Sequence, residues 1–371
     1  MNEPLSCIGL FSGIGGLELG AEQAGFEVLL TVDIDPLRVK VLKLNKPDWN
    51  PLEADIRKLT GREIFRYTGL KQGELDLLMG GPPCQPFSKA RLWLGYSKRD
   101  RRVNLILEFV RLVNELKPRA FLIENVPHLA GKLGHGILKR AFNRRNLSEY
   151  KWDIWVLDAA KYGVPQRRRR MFLVGIRRDV DGFPSPPKPT HGIDGKKEVS
   201  AGEAIGPLDD GVVHDHEVPN GKWGHLLAEV PPGWNYLWFT EVGGGPKIFK
   251  PRSRYWLFLL KLDPNRPSWT ITSRPGPYTG PFHWRSRRLR IPEIKRLQAF
   301  PLEWKLVGSE SKQRQQLGDA VPPLLAKHVV KQIAETLRGE VIDVKSRNEN
   351  LEAEGKVSTT ANDRPASNEL G

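Results

Sequence analysis

The sequence predicts an α/β fold, with a mostly parallel sheet in its first half and a smaller, more irregular domain after it. Two observations support this prediction. Up to about residue 180, short apolar runs of strand type alternate with stretches whose apolar residues recur at helical spacing. A proline-rich segment at residues 183–189 ends the alternation, and Gly, Pro and Trp are frequent beyond it. Strands that alternate with helices are typical of a parallel sheet covered on both faces.

The first predicted strand, residues 6–11, runs into a glycine turn at residues 13–16, and a helix follows that stops at Gly25. The other strands are predicted at residues 28–32, 75–79, 120–123, 155–159 and 171–176. Further helices are predicted after the cap Asp35-Pro36, before Pro118 and at Pro323–Leu337. Their apolar faces are Leu37, Val41 and Leu44; Val103, Ile106, Leu107, Val110 and Val113; and Ala326, Val329, Val330, Ile333 and Leu337.

Composition excludes several classes of protein. The densest apolar run, residues 255–260, has the length of a core segment, so we expect no membrane span. The first residues lack the basic and apolar regions of a secretion signal. Two cysteines are too few for a disulfide framework or a structural zinc site. We therefore expect a cytoplasmic protein in a reducing environment, without a bound metal.

The net charge of +15 suggests a polyanionic partner, and its distribution is informative. Residues 339–371 carry 7 acids and 4 bases with few apolar residues, which predicts a disordered tail. Residues 242–300, here called the basic segment, hold 13 Lys and Arg against two acids. One interpretation is an ordinary surface over aromatic core residues; the other, which we favour, is a nucleic-acid face. The interleaved aromatic residues are Trp256, Trp269, Tyr278, Phe282 and Trp284.

The glycine turn is typical of a backbone that passes close to a ligand at a helix N-terminus. Asp33 follows Gly13 by twenty residues, at the end of the second predicted strand, where a carboxylate can hold ribose hydroxyls. Glu18 stands where the dinucleotide fingerprint has its third glycine. The turn alone is compatible with a nicotinamide cofactor, an adenosyl cofactor or no ligand.

The segment from Gly80 to Ser88, GGPPCQPFS, follows a buried strand and should lie at the carboxyl edge of the sheet. Its prolines and glycines fix a loop that presents the thiol of Cys84. Cys7, inside the first predicted strand, is instead expected to be a buried, inert cysteine.

A thiolate nucleophile needs nearby positive charge to lower its pKa. The run Gln166-Arg-Arg-Arg-Arg170, between two predicted strands, could supply that charge, although such a run is also typical of a solvated surface. Glu124 ends another strand and offers a carboxyl group at the same edge, or else a helix cap.

With these residues the chain resembles the DNA (cytosine-5)-methyltransferase family. The matches follow the order of the family's motifs to about Leu337. They are Phe11–Gly16, Asp33, Asp55-Ile56, the Pro-Cys segment, Asp100, Arg102, Leu105, Glu124-Asn-Val126, Gln166-x-Arg168-x-Arg170, Arg288-Leu289, Glu293, Leu297-Gln-x-Phe-Pro301 and Gly318-Asp-Ala-Val-Pro322.

The resemblance implies an S-adenosylmethionine-dependent methyltransferase with a Rossmann-like sheet. Residues 1–183, completed by the helix at 317–338, would form the catalytic and cofactor-binding domain, and residues 184–316 the target-recognition domain. The implied cofactor contacts are Phe11, Gly13, Gly15, Asp33, Ile34, Asp55, Ile56 and Asp319. In catalysis, Cys84 would attack C6 of cytosine, Glu124 would bind N3, and Arg168 and Arg170 would support the O2 edge and the loop.

The implied partner is double-stranded DNA, bound by a monomer with the target base flipped out. The enzyme would belong either to a restriction-modification system, with a cognate restriction endonuclease encoded separately, or to an orphan modification system. Two positions depart from the family: Asp319 stands where Asn is usual, and Ile34 where many members have an aromatic residue. An RNA cytosine-5 methyltransferase of the same fold and a DNA-binding regulator without activity are the alternatives. The intact Cys84, Glu124 and Arg168 set argues against the regulator.

Overall fold

A computed structural model of the chain describes residues 4–83, 104–131, 138, 147–252 and 255–340. Within these residues the strands are β1 (Leu5–Leu10), β2 (Phe26–Asp33), β3 (Pro51–Glu53), β4 (Leu77–Gly80), β5 (Ala120–Asn125), β6 (Tyr150–Asp158) and β7 (Arg169–Arg177). They form one sheet in the order β3-β2-β1-β4-β5-β7-β6. The neighbours from β3 to β5 are parallel, and β7 is antiparallel to β5 and β6. The mostly parallel sheet is confirmed, and β3 is an addition.

The described helices are α1 (Gly16–Gln23), α2 (Pro36–Asn45), α3 (Gly61–Thr68), α4 (Asn104–Leu116), α5 (Ala201–Ile205), α6 (Ile291–Leu297), α7 (Glu310–Asp319) and α8 (Pro323–Leu337). The predicted cap of α2 is confirmed, because the Asp35 carboxylate accepts a hydrogen bond from Leu37 N at 2.9 Å. Its predicted apolar face is partly wrong: Leu44 is exposed, and Val39 and Leu42 are buried with Val41. None of these described helices is long and apolar enough to cross a membrane.

Alternation along the strands gives the sheet two buried faces. In β1, Cys7 belongs to the core cluster under α1, α2 and α8, whereas Ile8 belongs to the cluster under α3 and α4. Cys7 is fully buried, and burial raises the pKa of its thiol well above the ordinary value. The expectation of a buried Cys7 is confirmed, and its thiol is held in the unreactive, protonated form.

A third cluster of buried residues lies between residues 226 and 282. Phe282 is part of this core, as the ordinary-surface interpretation expected, whereas Trp256 is 44% exposed. The expectation of an irregular chain to about residue 299 is wrong at α5 and α6. Both helices contribute to the core beside the sheet, through residues such as Ile205 and Ile294.

α1 and α8 make close backbone contact at Gly20, so the last described helix packs on the first one. A Cβ atom at Gly20 would lie 2.5 Å from Ala326 Cβ and 2.7 Å from both Pro323 O and Lys327 N. Two of these three neighbours are backbone atoms of α8, which cannot rotate away. The glycine is therefore required by packing and not by its conformational freedom.

We expect Gly20→Ala to lower the free energy of unfolding, although Ala is the better helix former. Overpacking costs about 1–3 kcal/mol, more than the roughly 1 kcal/mol that Ala gains over Gly in a helix. Gln23→Ala, at an exposed position of the same helix, should leave stability within about 0.5 kcal/mol. Urea denaturation of the three proteins measures both effects. A Gly20→Ala protein as stable as the wild type would contradict the proposed packing.

Candidate active site

A cavity of about 380 Å³ opens at the carboxyl edge of the sheet. Its first wall is formed by residues at or just after the carboxyl ends of β1, β2, β3, β4 and β5, as expected for ligand sites in parallel sheets. Its second wall comes from Arg274 and from residues near the α7–α8 junction. The predicted site residues that line it are Phe11, Gly13, Asp33, Ile34, Asp55, Ile56, Glu124, Arg170 and Asp319.

Asp33, the last residue of β2, organises the glycine turn. One carboxylate oxygen accepts a hydrogen bond from Gly13 N at 2.8 Å, and the other accepts from Asp35 N at 2.9 Å. Gly13 adopts a φ of 59°, in the region that favours glycine. Burial raises the pKa of Asp33, and Arg38 and the two N–H groups oppose this rise. Since a carboxylate offers about four acceptor positions, Asp33 can still bind hydroxyl groups in the cavity.

The part of the first wall that follows β2 and β3 combines an apolar surface with an ion pair. Ile34 lines the cavity with 60% of its surface exposed. Asp55 is hydrogen-bonded to Arg57, which lowers the pKa of the Asp55 carboxyl group. An apolar patch beside acceptor groups suits a planar ring carrying polar substituents.

Gly15 does not belong to the residues that line the cavity in the described structure, so its predicted role as a cofactor contact lacks direct support. It has a φ of 86° and immediately precedes α1. A Cβ atom there would lie 2.9 Å from Leu42 Cδ2 and 3.0 Å from Trp49 Cζ3. The glycine is required by the sharp turn and by packing against these side chains.

Glu124 and Arg170 meet inside the cavity. Arg170 Nε lies 2.9 Å from Glu124 Oε1, and both side chains are largely buried. Burial raises the pKa of the Glu124 carboxyl group, and Arg170 and Arg168 oppose this rise. The result is a carboxyl group that takes up a proton more readily than an exposed one, yet has a cation beside it to stabilise its ionised form.

The loop that leads to Cys84 begins at the same place. Asn125 is buried, and its side-chain amide donates a hydrogen bond to Pro82 O at 3.0 Å. A Cβ atom at Gly81 would lie 3.1 Å from Glu124 Oε2, so glycine permits the close approach of the carboxyl group. Pro83 also lines the cavity. Cys84 itself lies outside the described residues, as do Asp100 and Arg102.

Arg168 does not line the cavity, so a direct contact with a bound base lacks support for this residue. Its side chain is 1% exposed, and its two terminal nitrogens donate hydrogen bonds to Ile271 O, Gly318 O and Ala320 O. Gln166 is also buried, and it contacts Leu297 O at 3.0 Å. In the described structure the predicted motif connects the sheet to the second wall of the cavity.

Several residues that line the cavity were not predicted, and Arg274 is the most distinctive of them. It reaches the cavity from the basic segment and forms no ion pair within the described part of the chain. Its neighbours in sequence, Thr272-Ser273, pass within contact distance of Gly318. No local motif distinguishes Arg274 from other arginines. The remaining unpredicted lining residues include Arg38, Arg57, Gln315 and Gln316.

Part of the basic segment is neutralised within the protein. Arg287 is fully buried and forms two hydrogen bonds to Glu293, at 2.6 and 2.9 Å. Arg290 pairs with Glu217, and Arg285 pairs with Asp209. The acids at residues 209–217 precede the basic segment and were therefore not counted with it. These three arginines are paired within the protein, so fewer unpaired cations are available to a nucleic acid than the sequence suggests.

Glu18, in the first turn of α1, is a fully buried carboxyl group beside the glycine turn. Its side chain covers Gly9, where a Cβ atom would lie 2.0 Å from Glu18 Oε1. Burial raises the pKa of Glu18 from 4.5 to about 7, with a smaller contribution from Asp33 and an opposing one from the Ser12 hydroxyl. The carboxyl group is therefore protonated in the folded protein at mildly acidic pH.

This shift makes stability depend on pH in a defined direction. Between the unfolded pKa of 4.5 and the folded pKa of about 7, the folded state keeps a proton that the unfolded chain has released. Stability therefore falls as the pH rises through this window, by about 3 kcal/mol at most, at roughly 1.4 kcal/mol per pKa unit. We expect Glu18→Gln to remove this contribution and to be more stable than the wild type at pH 8.

Urea denaturation at pH 5 and pH 8 measures how the free energy of unfolding of each protein changes with pH. Glu27→Gln, at an exposed position of β2, is the matched control and should keep the wild-type dependence. If the unfolding free energy of Glu18→Gln depended on pH as that of the wild type does, the Glu18 carboxyl group would not take up a proton on folding.

The strand order and the cavity at the carboxyl edge of the sheet define the class of fold, which is that of the α/β methyltransferases. The same fold occurs in a prophage-encoded Escherichia coli protein described as a DNA modification methyltransferase, with a TM-score of 0.67 and 24% identity over 90% of this chain and 99% of that one. The Entamoeba histolytica methyltransferase EhMeth superposes with a TM-score of 0.62 and 17% identity, covering 92% of this chain and 100% of that one.

Sequence comparison makes the assignment specific. The model of the C-5 cytosine-specific DNA methylase family matches residues 5–335, and the chain belongs to this family. The Type II methyltransferase M.SacI of Streptomyces achromogenes is 39% identical, over 95% of this chain and 100% of that protein. The Type II methyltransferase M1.HphI of Haemophilus parahaemolyticus is 33% identical, over 89% of this chain and 86% of that protein. The predicted family is confirmed.

Proposed function

We propose that the protein transfers a methyl group from S-adenosylmethionine to C5 of a flipped-out cytosine in duplex DNA, with Cys84 as the nucleophile. The observation that carries the proposal is the position of Glu124 and Arg170 in one cavity with Pro82 and Pro83, the residues that lead directly to Cys84. A protonatable carboxyl group beside a cation, at the start of the sequence segment that carries Cys84, suits addition of a thiolate to a pyrimidine ring.

The chemistry assigns a role to each group. Cytosine C5 is a poor nucleophile until the Cys84 thiolate adds to C6 and makes C5 enamine-like. Glu124 hydrogen-bonds or protonates N3 and so stabilises the charge that develops on the ring; its raised pKa favours this acid role. Arg170 orients Glu124 and supports the O2 edge of the base. After the methyl group has moved to C5, loss of the C5 proton and release of the thiol restore the aromatic ring.

The residues of the cavity suit the cofactor. S-adenosylmethionine supplies an electrophilic methyl group when bound. Asp33 would accept hydrogen bonds from the ribose hydroxyls, because its carboxylate is fixed by Gly13 N and Asp35 N and retains acceptor capacity. Ile34 would cover the adenine ring with its exposed side chain. The cavity volume of about 380 Å³ lies in the range of small-molecule sites.

Residues 184–316 would bind DNA as the target-recognition domain, with the third hydrophobic cluster as their own core. Trp256 packs edge-on against Trp269, and Arg167 lies over the Trp269 ring at 5.9 Å. This row of aromatic and cationic groups adjoins the Gln166–Arg170 turn and offers contacts to bases and phosphates.

A role in restriction-modification is also proposed. The chain is similar to two Type II methyltransferases over 100% and 86% of their lengths. The protein would act as a cytoplasmic monomer, with a separately encoded endonuclease.

Cys84→Ser tests the reaction. We expect it to abolish nearly all methyl transfer, because a hydroxyl group is far less ionised and less nucleophilic than a thiol at neutral pH. DNA binding should persist and remain salt-sensitive, because phosphate contacts supply most of that affinity. Transfer of labelled methyl groups to duplex DNA and to tRNA, measured side by side, provides the readout. A comparable rate in Cys84→Ser would contradict the mechanism, and methylation of tRNA alone would support the RNA alternative.

Trapping of the enzyme–DNA adduct provides the control. Duplex DNA carrying 5-fluorocytosine should form a covalent, denaturation-resistant complex with the wild type when cofactor is present, because fluorine cannot leave as the C5 proton does. Cys7→Ser should retain this trapping, since Cys7 is buried in β1, and Cys84→Ser should lose it.

Asp33→Ala tests the cofactor site. We expect it to weaken S-adenosylmethionine binding by about 1–3 kcal/mol, because it removes a charged hydrogen-bond acceptor and frees the glycine turn. DNA affinity without cofactor should hardly change. Isothermal titration calorimetry measures the first quantity and fluorescence anisotropy the second. Unchanged cofactor binding would remove Asp33 from the site.

A further inference from the structure

Arg38 of α2 connects the two walls of the cavity. Its NH2 donates a hydrogen bond to Asp319 Oδ2 at 2.6 Å, across 281 positions of sequence. Its other nitrogens lie 3.7 Å from Asp35 and 3.9 Å from Asp33. Arg38 and Asp319 both line the cavity, and Asp319 is the last residue of α7.

Arg38 is a cation among several carboxylates. Three carboxylates, Asp33, Asp35 and Asp319, face one guanidinium group. Within the described part of the chain, no second cation lies at ion-pair distance from Asp33 or Asp319. Arg38 also makes the largest contribution that opposes the burial-induced rise in the pKa of Asp33. A partly exposed ion pair contributes little to stability, so the pair matters more for the charge and shape of the cavity.

We propose that Arg38 is a positioning residue of the cofactor site, which binds Asp319 and thereby holds the α7–α8 junction against α2. The inference rests on the proposed cofactor site and refines it. Asp319 then serves as the partner of Arg38 and not as a direct cofactor ligand. This pairing also accounts for an aspartate where the family usually has asparagine. The Asp319 carboxylate is tolerated in the cavity because Arg38 neutralises it.

The proposal predicts that the two residues act as a unit. Arg38→Ala leaves three carboxylates facing one another, so the α7–α8 junction is repelled from α2 and Asp33 loses its cation. Asp319→Asn keeps an acceptor for Arg38 and removes one negative charge. The same substitution should therefore be mild in the wild type and restorative in the Arg38→Ala background.

Calorimetric titration of the full chain with S-adenosylhomocysteine, which cannot be turned over, tests the proposal. We expect Arg38→Ala to weaken binding by about tenfold or more, and Asp319→Asn by less than about threefold. The double variant should recover part of the affinity that Arg38→Ala loses, because one of the repelling carboxylates is gone, and Arg38→Lys should also recover part of it. Lys40→Ala removes an exposed cation from the same helix and should bind like the wild type.

The outcomes separate the inference from the proposed function. If the wild type binds S-adenosylhomocysteine and Arg38→Ala binds equally well, the inference is wrong while the cofactor site stands. An Asp319→Asn protein as impaired as Arg38→Ala, without recovery in the double variant, would make Asp319 a direct ligand and overturn the pairing role. A folded wild type that does not bind would overturn both. Thermal melting of each variant identifies any loss of affinity caused by unfolding.

Discussion

The buried guanidinium group of Arg168 holds the two walls of the cavity in register. It bonds three backbone carbonyl groups, and those of Gly318 and Ala320 lie 150 and 152 positions further along the chain. The first wall is fixed by the sheet itself, whereas residues 315–321 have no strand to hold them in place. A planar group with several donors in a rigid fork can bond three carbonyls at once, which a lysine ammonium group would do poorly. The shape of the cavity therefore depends on a residue that lies behind it.

A second buried arginine belongs to a set of ion pairs that includes contacts between residues 209–217 and residues 285–290. Arg287 binds Glu293 at the start of α6, and the nearby Arg290 binds Glu217. Two segments that are distant in sequence are thus joined through ion pairs. Breaking a buried pair leaves an uncompensated charge, which is costly. Residues 209–217 are consequently held beside the start of α6 through charged groups as well as through the chain.

Most of the sheet could be predicted from sequence because its central strands are apolar on both faces. α8 was predicted with its actual bounds, since its apolar residues recur at helical spacing over four turns. α7 escaped prediction because its sequence, ESKQRQQLGD, is polar and shows no apolar stripe. α6 is only seven residues long and follows a proline-rich, irregular stretch. Tertiary contacts, which a local pattern does not contain, stabilise both helices.

The site residues likewise divide into those that local sequence predicts and those that only tertiary contacts define. Asp33 and Glu124 could be identified because each ends a predicted strand, and parallel strands bring their ends to one edge. Arg38 could not be identified, because its partner Asp319 belongs to a distant helix and no spacing rule connects them. The resemblance implies that Arg168 supports the O2 edge of the base, a role that stays a prediction. The carbonyl contacts of its buried side chain could not be predicted, because their partners lie more than 100 positions away in sequence.

The late position of the second wall has a consequence for biosynthesis. The glycine turn and Asp33 leave the ribosome early, but residues 315–321 emerge only near the end of the described chain. α8, which packs on α1 near the start of the chain, follows still later. The second wall therefore stays incomplete until residues 315–321 have been synthesised. Translation products that stop before residue 315 lack one side of the cavity, so only chains synthesised past this point can assemble it.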